Sequence, residues 1–460
     1  MEKIQTQWPK ITVAGAIWFL SAVEDNMIGV SEWPYMHTID PKATTSFFGV
    51  ASAMSHAGHA IFAMLFAFWS YRWRTTRWPL LAGRLISLLG CILYLGVEIL
   101  NENRRILMLV CYFLFGCGLG SMAVVRTYVA EVSSESDRSR AYAVTTASNL
   151  LAITLGPMIQ LAFSAKTFEY PGHEIIKGKI RFHFYTAPIW FALGMNVIAI
   201  ILLIFFFKDV KKERQNTIGS HEPILKRLFS ILQRSGIVWP LVFLCLFQII
   251  ASKITQVTIS TVVAPLFMAG YGWTGHKSVI IMSIGQAIVG VICILIAALF
   301  IFARLGQRIH PRVTFLFGMA ITVLLYVLTY PWPKISVKAA AFNETTGIGC
   351  DPTQYGWCES HSTTPYIWIP LLILVMGLGL PLLMISLDTI YSKVLGNCDQ
   401  NTMQGLNVLV EDLTLIVGSI CSSAIFTKSG QKYLWIINGA FTFIGTALWL
   451  ISFKRLAPFK

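Results

Sequence analysis

The sequence predicts an all-α membrane protein with twelve spanning helices, arranged as two six-helix halves around a central cavity. Three observations carry that expectation. Apolar residues make up 55% of the 460 residues and charged residues only 13%, against about 25% charged in an ordinary soluble domain. The apolar residues fall in blocks of roughly twenty or more, long enough to cross a hydrocarbon core of about 30 Å. The blocks are continuous rather than alternating, so each must satisfy its backbone as a helix and not as a barrel strand.

Taken in order, the blocks place spans near 11–34, 44–70, 79–100, 106–132, 139–164 and 184–207. A basic connector follows at 208–236, and six further spans lie near 237–268, 275–303, 311–331, 365–392, 402–427 and 432–453. The expected domains are therefore an N-terminal half, 1–207, a cytoplasmic linker, 208–236, and a C-terminal half, 237–460. Pro34 is expected to end the first span and Pro265 the seventh. The first block has no small-residue cleavage site and carries acids at its centre. It reads as a spanning helix, not a removable leader.

The net charge is +14. In a soluble protein that excess would suggest nucleic acid; here the basic residues sit in short loops and act as topology signals. With both termini cytoplasmic, 22 of the 36 Lys and Arg residues fall on the cytoplasmic side. That count puts Arg84, near the start of the third span, on the cytoplasmic side. Twelve fall on the other side, and Arg126 and Lys253 lie inside helices. The sequon Asn343-Glu344-Thr345 agrees, because it falls on the non-cytoplasmic side where glycans are added. Seven of the nine cysteines are expected to be free. Cys350 and Cys358 share one polar loop of an oxidising compartment and are expected to form a disulfide.

The two halves repeat. "FAFWSYRWRTTRWPLLAG" joins spans 2 and 3, and "FIFARLGQRIHPRVTFLFG" joins spans 8 and 9. "GCGLGSMAVV" in span 4 echoes "VMGLGLPLLM" in span 10. Six plus six helices with a basic middle loop is the major facilitator plan, with two parallel halves. The segments "WPYMHTIDPKATTSFFGV", "GLGSMAVVRTYVAEVSS", "GCDPTQYGWC" and "GLPLLMISLDTIYSKVLG" resemble, in order, the lysosomal family of ceroid-lipofuscinosis neuronal protein seven. The resemblance implies an endolysosomal membrane protein, either a solute carrier or an anion conductance. The chain departs from the family in carrying two adjacent acids in span 1 and two in span 11.

A charge at the bilayer centre costs about 2.5–3.5 kcal/mol by insertion scales, so each such residue needs a partner or a wet cavity. Glu24, Asp25, Lys253, Glu411 and Asp412 are the candidates. In span 11, Gln404, Asn407, Glu411, Thr414, Gly418 and Ser422 recur at steps of three or four and so share one face. Span 7 offers Lys253, Gln256 and Ser260, and span 5 offers Asn149, Gly156 and Gln160. His56 and His59 lie three apart in span 2 and could relay protons, since imidazole titrates near neutrality. Two histidines alone make no metal site. Arg126 could hold an anionic solute or pair with an acid. For the neutral polar residues the plainer reading is interhelical packing.

No nucleotide-binding, zinc-protease or hydrolase motif is present. The expectation is a non-enzymatic secondary transporter without cofactor, working by alternating access and coupled to protons, for a small solute, with an anion as one candidate class. The alternatives are a chloride-type anion conductance and a non-transporting receptor or scaffold. Its expected partners are the bilayer, the solute and protons, with no nucleic acid, and a monomer is the expected state. Lys253 is expected to exchange between Glu411 and Asp25.

Overall fold

The computed structural model describes residues 6–133, 138–165, 168–176, 180–209, 238–302, 308–344, 348–395 and 400–457. Most of the basic connector, the Arg304–Gln307 stretch and Thr345 lie outside the described residues.

The first eight helices are α1 (Trp8–Ile28), α2 (Glu32–Ile39), α3 (Thr45–Trp73), α4 (Arg77–Leu95), α5 (Arg104–Gly120), α6 (Met122–Val132), α7 (Arg138–Ala162) and α8 (Ala187–Ile201). After the connector come α9 (Trp239–Pro265), α10 (Gly275–Phe302), α11 (Pro311–Leu328), α12 (Pro365–Leu374), α13 (Leu380–Leu395) and α14 (Gln400–Ser452). Two short antiparallel ribbons decorate the loops: β1 (His173–Ile176) with β2 (Ile180–Phe182), and β3 (Ser336–Lys338) with β4 (His361–Thr363).

Among the described residues ten helices are long and apolar enough to cross a membrane. One of them, Leu406–Ser452, has 47 residues. At 1.5 Å per residue it would run to about 70 Å, more than twice a hydrocarbon core. It is broken at Gly430, whose φ of 61° and ψ of −146° are not helical, and so provides two crossings. The shorter apolar stretch Ala147–Ala162 within α7 supplies the twelfth. Gly430 is required by its surroundings as well as its dihedrals: a Cβ there would lie 2.7 Å from the Trp357 ring.

The expected first span, 11–34, is corrected. Helix α1 stops at Ile28, and α2 restarts at Glu32. Proline is tolerated in the first turn of a helix but not in its interior. The break upstream lets Pro34 fall in the first turn of α2, so it does not terminate α1. One consequence is that Glu24 and Asp25 occupy the last turn of α1 and not its centre. Acids there oppose the helix dipole, and the burial of Glu24 requires that its charge be paired. The fourth span likewise divides at Ser121 into α5 and α6. Helices α8, α9 and α12 each run on into a π-helical turn, at Leu202–Phe206, Leu266–Gly270 and Val375–Gly379.

The chain divides into two compact units. Unit 1 comprises 1–212, 261–290 and 340–354; unit 2 comprises 213–260, 291–339 and 355–460. In unit 1, α3 packs along α5, α1 along α7 and α8, and α4 along α5 and α8. Small residues permit the close approach of α3 and α5. A Cβ on Gly58 would lie 2.6 Å from the Phe113 carbonyl, and one on Gly120 would lie 2.7 Å from the Ala63 nitrogen, as expected where helices associate through van der Waals contact. The core is aromatic, with Tyr35, Tyr94 and Tyr112 in a row. In unit 2, α11 packs on α13 and α14, and Phe315 lies 4.0 Å from Trp449 between ring centroids.

Candidate functional site

Among the described residues, each unit holds an ion pair between its spanning helices. In unit 1, Arg84 Nη1 stands 3.1 Å from Glu24 Oε2, and the two residues are 1% and 5% exposed. The guanidinium also donates from Nη1 to Asn196 Oδ1 at 3.4 Å and from Nη2 to the Gly118 carbonyl at 3.1 Å. The Cys91 thiol lies 3.8 Å from Glu24 Oε1. Four helices, α1, α4, α5 and α8, thus meet at one fork-shaped donor, which suits guanidinium geometry and not lysine.

Arg84 is a correction to the sequence reading, which counted it on the cytoplasmic side. It lies two helical turns inside α4, fully buried. Removing it leaves twenty-one basic residues on the expected cytoplasmic side against twelve, so the bias keeps its sign. The signal that could have found it is the run Arg84, Ser87 and Cys91. Steps of three and four put all three on one face, and each is buried. Asn196, in a helix otherwise apolar, was also missed.

Asp25 is exposed, one residue from Glu24, and the charges of His59 and Arg84 face it. Glu32, just beyond the first span, lies on the wall of the same cavity as Glu24 and Asp25, with Ser55, Ser87 and Tyr112. Burial pushes its carboxyl up to about 8, and the Asp25 charge adds to the effect. The remaining unit 1 candidates are dispersed. His56 and His59 are half-buried in α3. Arg126 is exposed, with its guanidinium 5.6 Å from the Trp18 ring centre. Asn149 is exposed on α7, whereas Gln160 is fully buried and donates to the Phe184 carbonyl at 3.1 Å.

A second carboxylate that sequence reasoning missed is Glu98. Its Oε1 accepts from Tyr35 Oη at 3.0 Å and lies 2.9 Å from His183 Nε2. His183 Nδ1 accepts the Tyr185 backbone N–H at 3.2 Å. That acceptor role puts the ring proton on Nε2, where it donates to Glu98.

In unit 2, Lys253 Nζ stands 3.1 Å from Glu411 Oε2. Lys253 lies midway along α9 and is buried; the Glu411 side chain is 26% exposed. Ser252, Met384 and Asp388 join them around a small cavity. The polar stripe of α14 divides in two. Its second half is packing: Gly418 lies against Val257, and Ser422 shares a 2.8 Å hydrogen bond with Thr258, which also accepts from Asn438 at 2.8 Å. Of the stripe's described residues, only Glu411 lines the cavity. Asn407 and Asp412 are buried, and Gln256 is half-buried.

Cys350 and Cys358 are both disulfide-bonded. Cys91, Cys111, Cys117, Cys245, Cys293 and Cys421 are free. Asn343 is exposed, and its N–H donates to the Ile348 carbonyl at 2.9 Å.

Among the described residues, twelve apolar crossings with internal ion pairs make this an integral, multi-pass membrane protein of the transporter class. The family model of the Major Facilitator Superfamily matches residues 15–350, and the chain belongs to that superfamily. A Xenopus laevis relative, Major facilitator superfamily domain-containing protein 8, is 27% identical over 100% of this chain and 94% of its own length. Solved transporters share the fold. A D-xylose-proton symporter superposes with a TM-score of 0.64 at 11% identity, covering 96% of each chain. The nucleoside transporter NupG superposes with a TM-score of 0.58 at 13% identity, covering 97% of this chain and 100% of its own.

Proposed function

We propose that this chain is a proton-coupled secondary transporter of a small solute, working by alternating access in an endolysosomal membrane with both termini in the cytosol. The observation that carries this reading is the Lys253–Glu411 pair. A lysine midway along a spanning helix is held by a carboxylate that is itself one-quarter exposed to a cavity. A proton that reaches Glu411 cancels the charge that holds Lys253, and the ammonium must then find another partner or water. Proton binding is thereby linked to a change in the preferred state of the helix pair. The coupling in the D-xylose-proton symporter belongs to that protein; it shows that the shared fold can host such coupling. The endolysosomal location is supported by the ordered motif resemblance.

The purified chain in liposomes tests the proposal. An imposed pH gradient should drive saturable solute accumulation, with movement of protons reported by an internal dye. Discrete single-channel currents without saturable exchange would instead establish an anion conductance. Neither activity, together with a co-purifying protein, would establish a receptor or scaffold. Glu411→Gln should abolish the pH dependence and leave solute binding measurable.

A further inference from the structure

The unit 2 cavity sets one cation between two carboxylates. Helix α9 contributes Ser252 and Lys253 to its wall, α13 contributes Met384 and Asp388, and α14 contributes Glu411. In this structure Lys253 stands on Glu411, 3.1 Å away. Asp388 is exposed, whereas Lys253 is buried. The space among them is about that of one water. It is too small for a solute and short enough for a side chain to cross. Among the described residues, Lys253, Asp388 and Glu411 are the titratable groups on this wall. Asp412, next to Glu411, is buried and lies off it.

A second observation is the direction of the lysine. Side chains on a helix lean toward its N-terminus, so the stem of Lys253 leans toward Trp239, where α9 begins. Four crossings run from there through α10, α11 and the single span Pro365–Leu395. The start of α9 and the end of α13 are therefore on the same side of the membrane. Asp388 lies about two turns from that end, Leu395, so the stem leads toward its side of the cavity. A lysine carries its charge on a flexible four-carbon stem with three donors. A carboxylate offers about four acceptor positions, so the contact that Asp388 already makes leaves room for an ammonium.

We propose that Asp388 is a positioning residue that takes the Lys253 ammonium when Glu411 is protonated. The proton adds to a Glu411 oxygen, and that carboxyl becomes neutral. The ammonium keeps its three hydrogens and crosses to Asp388, whose charge now outweighs the neutral acid. Loss of the proton from Glu411 returns it. A lysine midway along a spanning helix is thus paired in both states, which avoids the cost of an uncompensated charge. The inference rests on the proton-coupled reading and supplies its second state. Asp25, the exchange partner expected from the sequence, belongs to unit 1; Asp388 shares a cavity wall with Lys253.

Thermal unfolding of the purified full chain in detergent micelles tests the exchange, with Glu411→Gln imitating the protonated carboxyl. Asp388→Asn alone should lower the midpoint little, because Glu411 still holds the cation. Combined with Glu411→Gln, it should cause a midpoint loss greater than the two single losses added together, because Lys253 then has no carboxylate. Adding Lys253→Met to that pair should erase the excess. Glu411→Gln with Asp388→Glu, which keeps a carboxylate, should melt near Glu411→Gln alone. If the Glu411→Gln, Asp388→Asn protein does not fold, recovery of folded yield on adding Lys253→Met is the same positive result. Strictly additive losses, or an excess that survives Lys253→Met, would overturn the exchange. The unfolding cycle needs no transport. Coupling in a chain that fails the liposome test would defeat the carrier reading alone, and additive losses in a chain that passes it would defeat the role of Asp388 alone.

Discussion

Arg84 Nη1 and Glu24 Oε2 meet 3.1 Å apart where four helices converge, and the pair has no access to solvent worth counting. Breaking one side of such a pair leaves an uncompensated buried charge, which costs about 3–5 kcal/mol. Arg84→Gln should therefore lower the thermal midpoint sharply or abolish folded yield. The double variant Glu24→Gln, Arg84→Gln should recover a large part of the loss. Yield and melting of the four proteins form the measurement, and strictly additive losses would remove the coupling.

The Lys253–Glu411 pair is more accessible, so its cycle should be shallower. Lys253→Met and Glu411→Gln should each reduce folded yield, and their combination should do less harm than their sum. Uptake should stay low in the double variant, because the titrating group is gone. A double variant with wild-type pH-dependent uptake would show that the pair is structural.

Glu32 gives a signed pH prediction. Its folded pKa of about 8 lies above the ordinary carboxyl value of 4.5. The folded state therefore holds the proton more tightly than the unfolded chain does. The resulting stabilisation is full below about pH 4.5 and is lost as pH rises through 8. Thermal midpoints from pH 4.5 to 8.5 should fall more steeply for wild type than for Glu32→Gln, and a difference curve flat across that window would refute the assignment.

The loop carrying Cys350 and Cys358 is tied down by more than its bridge. Gly356 N–H donates to the Thr427 carbonyl at 3.1 Å, and Trp357 covers Gly430. Closing so short a loop is worth about 2–3 kcal/mol in the chain-entropy model. Cys350→Ser, Cys358→Ser should lower the midpoint accordingly, and Gly430→Ala should do so further by forcing a Cβ into the Trp357 ring. Alkylation of the native protein should label neither Cys350 nor Cys358.

Topology is open to a direct check. If the termini are cytosolic, Asn343 faces the lumen and accepts a glycan. Glycosidase should increase mobility of the wild type and leave Asn343→Gln unchanged. A shift that persists in the variant would place the glycan elsewhere.

Much of the architecture follows from the sequence alone, and the reason is solvent. In a bilayer every apolar block of about twenty residues must be a helix, so the number and order of the crossings are legible without tertiary information. Lys253 and Glu411 were legible for the same reason: a charge inside such a block requires an answer, and the polar stripe of α14 pointed to one. Arg84 was not, because an arginine seven residues into a helix that begins with Arg77 looks the same in sequence whether it snorkels to the interface or turns into the bundle. Only the packing of α1, α5 and α8 around α4 settles that, by placing Glu24, Gly118 and Asn196 at its guanidinium. Glu32 and Tyr112 are the same case. Nothing in their local sequence marks them, and they reach the Asp25 cavity only because α1 breaks at Gly29 and α5 packs beside it. Periodicity and hydropathy are local and survive in one dimension. The pairing of buried charges depends on which helices become neighbours, and that was decided in three.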